Sequence, residues 1–166
     1  MTTKAAIWLR VSTDEQTTEN QLRPLQEYAE RRGLEVVQVL DVSGISAHRG
    51  AQQEFIKRAR DAARRGAFEI LLCWSLDRLT REGPETMLRI LRQFDEVGCS
   101  VWSLQEPWTE ASGELRELLL SIVGWFASFE SRRKSERTKA GMARAKAAGK
   151  HVGRPKKVRR GERVSP

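Results

Sequence analysis

Near its amino end the chain carries Arg10-Val11-Ser12-Thr13-Asp14-Glu15-Gln16, a hydroxyl with a guanidinium two residues before it and a carboxamide four after. Further on, Trp74-Ser75-Leu76-Asp77-Arg78-Leu79-Thr80-Arg81 holds a carboxylate and two guanidiniums within five residues. Between them lies Asp41-Val42-Ser43-Gly44, followed by Arg49 in a glycine-containing loop. A serine hydroxyl is a nucleophile once a neighbour takes its proton, and guanidiniums bind phosphate oxygens in pairs while keeping their charge. Each group also has an ordinary role. Arg10 can pair with Asp41 or Asp77, Ser12 and Thr13 can cap a turn, and Asp77-Arg78 can be a solvated loop pair. Taken singly, the ordinary roles win. Taken together, four arginines around one serine repel each other unless an anion is bound, and phosphoryl transfer is the chemistry that uses such a cage.

The elements between these segments must bring them to one place. Four short apolar runs, residues 5–11, 36–41, 69–74 and 100–104, read as strands, and each is continuous enough to suit a strand covered on both faces. A helix is expected over 20–32, with Leu22, Leu25, Tyr28 and Ala29 on one face, Gly33 as its stop, and Pro24 tolerated only in about the first turn. A second runs over 51–65 with Phe55, Ile56, Ala59, Ala62 and Ala63 inward, ending at Gly66. A third opens near Pro84 and closes at Gly98, with Met87, Leu88, Leu91 and Phe94 as its stripe. The alternation specifies an α/β fold: a mainly parallel sheet of four to five strands, joined by right-handed crossovers and flanked by helices. In such a sheet functional groups collect at the carboxyl ends of strands, where Arg10, Ser12, Gln16, Asp41, Asp77, Arg78 and Arg81 all fall.

One long C-terminal helix is expected to follow. From Gly113, Leu115, Leu118, Leu119, Ile122, Val123, Phe126 and Phe129 recur at threes and fours, and no proline interrupts the pattern through Ala148. About 35 residues at about 1.5 Å each make a rod of about 50 Å. Its first half suits a core or a partner subunit, and its second half suits DNA. Residues 1–130 hold 16 Lys and Arg against 20 Asp and Glu, whereas residues 131–166 hold 14 against 2, so the whole chain's charge of +8 comes from its last part. Such a segment fits a polyanion, because each phosphate contact releases counterions, although a solvated basic tail has the same composition. Gly153-Arg154-Pro155-Lys156-Lys157 can lie along a minor groove.

Other classes find little support. No run of 18 apolar residues or export signal occurs, so a cytoplasmic protein is expected, and the basic segment lacks the apolar face that a membrane surface would need. Cys73 and Cys99 sit in apolar runs and read as buried, reduced thiols. His48 and His151 are far apart and belong to no triad. Neither a carboxylate-rich metal cluster nor a phosphate-binding glycine turn is evident.

Arg10-Val-Ser-Thr-x-x-Gln16, Asp41-x-Ser-Gly44 with Arg49, and Asp77-Arg-Leu-x-Arg81 resemble, in order and spacing, the catalytic domain of the serine site-specific recombinases of the resolvase/invertase type. Phe129-Glu-Ser-Arg-Arg-Lys-Ser-Glu-Arg-Thr138, with Lys139-Ala-Gly141 and the Gly-Arg-Pro segment, is similar to that family's long helix and linker. The pattern departs at Ser131, where an arginine is usual. The resemblance implies that Ser12 attacks a DNA phosphodiester to form a 5′-phosphoserine, with no metal, ATP or other cofactor, which fits the missing metal cluster and glycine turn. It implies that Arg10, Arg78 and Arg81 hold the phosphate with Arg49 in support, that Asp77 orients groups or moves a proton, and that Gln16 and Asp41 assist. Glu136 and Arg137 match long-helix positions used at the site or the dimer contact. DNA contacts are expected from Arg133, Lys134, Lys139, Arg144, Lys146, Arg154, Lys156 and Lys157. The family implies a homodimer that pairs into a tetramer in synapsis. The expected domains are a catalytic part over 1–112, the helix over 113–149 and a basic linker over 150–166, whose last residues are too few for a helix-turn-helix module. Two other readings compete: a non-catalytic DNA-binding or dimerisation protein with the same fold, and a phospho-acceptor or nucleotide-binding domain with a similar sheet. The latter needs an acidic acceptor pocket or a glycine-rich turn.

Overall fold

The computed structural model describes residues 2–10, 19–43, 49–80 and 82–150, with the backbone alone described at 49–51. Four strands, β1 (Lys4–Leu9), β2 (Glu35–Asp41), β3 (Ile70–Cys73) and β4 (Ser100–Ser103), form one sheet in the order β2-β1-β3-β4, and every neighbouring pair is parallel. The crossovers are α1 (Glu19–Arg31), α2 (Arg49–Arg64) and α3 (Pro84–Asp95), and α4 (Gly113–Ala147) follows β4. The chain divides into two compact units, residues 1–127 and 128–166, and α4 contributes to both.

Alternation along β1 and β3 separates two apolar layers. Ala6, Trp8, Leu71 and Cys73 meet α2, α3 and the first part of α4 through Ile56, Ala59, Leu91, Phe94 and Leu120. Ala5, Ile7, Leu9, Ile70 and Leu72 meet α1 through Leu25, Tyr28 and Ala29 on the other face. The central strands are thus covered on both sides, as their continuous apolar runs required. β2 is not: Val37 and Val39 are exposed, because β2 is an edge strand and its register slips between Ala5 and Ala6.

Two further details differ from expectation. Pro24 lies in the second turn of α1, deeper than the first turn assigned to it. The hydrogen bond it forgoes is the one to the carbonyl of Asn20, in an exposed turn where water can take its place. Helix α3 ends at Asp95 rather than running to Gly98. Gly98 instead takes a left-handed conformation (φ 76°) that lets the Cys99 N–H donate to the Phe94 carbonyl at 3.0 Å, closing the helix and turning the chain into β4.

Candidate active site

Arg10 leaves β1 directly and is buried. Its Nε donates to the Arg78 carbonyl at 2.7 Å and its Nη2 to the Asp77 carbonyl. The Trp8 indole donates to the same Arg78 oxygen at 3.1 Å. Trp8 of β1 and Arg10 just after it therefore hold the turn that follows β3. That turn is a single 3-10 helix over Leu76–Arg78. Leu76 and Leu79 on either side are sunk in the core, which leaves Asp77 and Arg78 facing the sheet edge.

A cleft of about 620 Å³ opens there, lined by Arg10, Asp77, Arg78, Thr80, Met87 and Glu106 among others. Gly83 helps line it and starts α3 with φ 96° and ψ −179°, a conformation open essentially to glycine alone, just before Pro84 at the first helical position. Both carboxylates in this wall accept hydrogen bonds from neutral donors. Asp77 accepts from the Ser75 hydroxyl. Glu106 accepts from the Leu76 N–H at 3.1 Å and from the Ser103 hydroxyl. Arg78 Nε forms an ion pair with an Asp77 oxygen at 3.6 Å, too long for a hydrogen bond, and is buried without a hydrogen-bond acceptor among the described residues. A buried N–H of that kind is costly unless an acceptor arrives, and a cationic fork prefers an anionic one.

The structure brings Arg10, Asp77 and Arg78 together. Asp41 pairs in register with Leu9 at the same sheet edge, and its Oδ1 accepts the Ser43 N–H at 2.8 Å, an ordinary turn-closing bond. Ser12, Gln16, Arg81 and the side chain of Arg49 lie outside the described residues, as do Arg154, Lys156 and Lys157. Arg133, Lys134, Glu136, Arg137, Lys139, Arg144 and Lys146 are exposed on α4 within the second unit. Arg133 stacks over the Phe129 ring at 5.8 Å, and Arg144 Nε caps the Ala140 carbonyl at 3.4 Å.

Two residues were missed. Glu106 comes three residues after β4, so applying the carboxyl-end rule to the fourth strand as well would have found it. Gln21 is buried on α1 and donates to the Arg10 carbonyl at 3.2 Å, holding the exit of β1. Its signal was a polar residue set in the apolar stripe that continues through Leu25, Tyr28 and Ala29. Cys73, at the tip of β3, is no second nucleophile: burial, reinforced by the nearby charge of Glu106, pushes its thiol well up, and Sγ donates to the Trp102 carbonyl at 3.5 Å. No group of three His, Cys, Asp or Glu side chains among the described residues is placed to hold a metal ion, and none of the described helices is long and apolar enough to cross a membrane.

Comparison with known proteins supplies the context for this edge. The family profile "Resolvase, N terminal domain" matches residues 5–151. The resolvase of transposon Tn552 from Staphylococcus aureus is 32% identical over 152 residues, covering 91% of this chain and 72% of that protein. A resolvase from Clostridium perfringens is 28% identical over 154 residues, covering 90% and 76%. Among solved structures, the N-terminal catalytic domain of TP901-1 integrase superposes with a TM-score of 0.64 at 27% identity, covering 78% of this chain and 97% of that one. A resolvase family site-specific recombinase from Streptococcus pneumoniae shares the fold, with a TM-score of 0.68 at 18% identity over 87% and 99% of the two chains.

Proposed function

This chain belongs to the serine recombinase family, through its resolvase N-terminal domain, and on that premise we propose that it cuts and rejoins DNA through a bond between Ser12 and a backbone phosphorus. The Ser12 oxygen attacks phosphorus and gives up its proton. The bond from phosphorus to the 3′ oxygen breaks, and that oxygen takes a proton to leave a 3′-hydroxyl. The 5′ phosphate stays on Ser12 as an ester, so attack by a 3′-hydroxyl reverses the step without ATP or metal. Arg78 and Arg81 hold the phosphate, Arg49 supports them, and Arg10 adds its charge from the cleft wall while fixing the turn that carries Arg78. Asp77 orients these groups or moves a proton, with Gln16 and Asp41 assisting, and Glu136 and Arg137 act at the site or the dimer contact. Residues 1–112 are the catalytic part, 113–149 the helix for dimerisation and DNA contact, and 150–166 a basic linker. The working unit is a DNA-bound homodimer inside the cell, joined in pairs as a tetramer.

The observation that carries this reading is the buried Arg78 Nε, ion-paired with Asp77 but without a hydrogen-bond acceptor among the described residues, in a cleft at the strand tips. A DNA duplex nicked near its cleavage site, which traps the intermediate, tests it. The parent chain should give a covalent adduct that maps to Ser12, and Ser12→Ala should give none while still binding DNA. An adduct on another residue, or equal behaviour of the two proteins, removes the mechanism.

A further inference from the structure

On the layer opposite α1, a second cleft of about 340 Å³ lies between α2 and α3. From α2 it is lined by Gln53, Glu54, Lys57 and Arg60, and from α3 by Arg89 and Gln93. The spacing is helical: Gln53, Lys57 and Arg60 lie on one stripe of α2, and Arg89 and Gln93 are one turn apart on α3. Three cations therefore converge from two walls. Of the polar groups that could offset them, Glu54 is engaged at the rim by Arg58 at 3.3 Å, and Gln53 donates outward to Glu82 at 3.1 Å. Arg60 Nε is buried and has no hydrogen-bond acceptor among the described residues. This is the same signature that Arg78 shows at the strand tips, in a separate cleft that shares α3 with the first but takes its other wall from α2.

We propose that this cleft binds a phosphate group. Ile56 and Ile90 close its floor and are buried, so an anion there meets the guanidinium in a less polar setting than bulk water. The space equals that of roughly ten water molecules at about 30 Å³ each, room for a phosphate with part of its hydration shell. A carboxylate has two coplanar oxygens and can serve two of the three cations at best. The tetrahedral oxygens of a phosphate can serve all three, and a guanidinium takes two of them at once. The phosphate comes either from a DNA backbone or from a free phosphate, and both present the same oxygens. The proposal does not depend on the chemistry assigned to Ser12.

Arginine side-chain NMR of the whole chain reads the Arg60 Nε–Hε group directly. Sodium phosphate is titrated at constant ionic strength, with sodium acetate and a 20-base-pair duplex as separate arms, on the parent and on Lys57→Gln and Arg89→Gln. Both substituted residues are exposed, so the variants should fold as the parent does. The Arg60 signal should shift saturably with phosphate, and each variant should weaken that response about tenfold, the loss of one charge-assisted hydrogen bond. The Arg78 signal should respond alike in all three proteins, which separates this cleft from the strand-tip site. A matching Arg60 shift with the duplex assigns the phosphate to DNA, and a shift with inorganic phosphate alone assigns it to the free anion. An Arg60 signal that stays still in both arms, moves equally with acetate, or responds equally in the variants overturns the proposal.

Discussion

Arg116 ties several elements together through one buried guanidinium. It is buried in the first turn of α4, with Nε 3.0 Å from both oxygens of Asp95 and Nη1 donating to the Thr109 carbonyl. Thr109 in turn accepts the Ser103 N–H at 2.8 Å and donates to the Glu106 carbonyl at 2.7 Å, so one guanidinium links α3, the start of α4 and the wall of the strand-tip cleft. Replacing it with leucine leaves Asp95 without its cation and should cost about 3 kcal/mol, read as a fall in the thermal midpoint. A midpoint within a degree of the parent would show that the pair contributes nothing net. The cysteines set the alkaline limit. Burial, then the charge of Asp95, pushes the Cys99 thiol up to about 12, and Cys73 is raised in the same direction. A thiol whose folded pKa is raised keeps its full contribution below the unfolded value and loses it as pH rises toward the folded one. Urea midpoints should accordingly fall as pH rises from 9 toward 12. The fall should be shallower in a Cys73→Ala, Cys99→Ala variant, and equal slopes would assign the loss to other groups. Both cysteines were legible as buried thiols from their apolar neighbours. Arg116 was not, because nothing in its flanking residues distinguishes a buried arginine from a solvated one.

At the level of elements, α4 shows how periodicity alone leaves a question open. Its apolar residues at threes and fours predicted a helix, and the helix is there. In the first unit, however, Leu120 and Ala127 are buried with Val123 beside them, while Leu115, Leu118, Ile122 and Trp125 are exposed on another stripe at intervals of 3, 4 and 3 residues. Trp125 stacks edge-on against Phe126, also exposed, with ring centroids 5.5 Å apart. That interval is the seam of paired helices, so the stripe fits the homodimer proposed above. Ile122→Glu should weaken self-association by about 100-fold, as loss of a central interface anchor does, and should leave Trp125 emission unchanged between low and high protein concentration. Sedimentation velocity measures the first and fluorescence the second. Assembly equal to the parent's would remove this stripe from the dimer. β2 teaches the converse: its valines suggested burial on both faces, but edge position is decided by strand order, which no local pattern encodes.

For the whole molecule, charge segregation is the dominant feature, with an acidic balance over residues 1–130 and a strongly basic one from 131 on. Five of the cations assigned to DNA, Arg133, Lys134, Lys139, Arg144 and Lys146, are exposed on α4. If these five neutralise phosphates, the logarithm of the DNA affinity should fall with the logarithm of salt at a slope of about −4 to −5. Fluorescence anisotropy between low and moderate salt measures it, and a flat response would sink the DNA role of this segment. The strand and helix order, the parallel sheet and the long helix were all legible in the order of the amino acids, and so was the placing of Arg10, Asp77 and Arg78 at one sheet edge, because hydrophobic period, helix-stopping glycines and strand ends are local properties. Only the folded chain decided that Arg10 spends two of its donors on the backbone after β3, that Glu106 and Gln21 belong to the site, and that β2 lies at an edge. It also gave Arg60 and Arg78 a buried Nε with no hydrogen-bond acceptor among the described residues. Those outcomes depend on which atoms from distant parts of the chain reach hydrogen-bond distance and which polar atoms lose water when the layers pack, and both are properties of three-dimensional neighbours rather than of sequence neighbours.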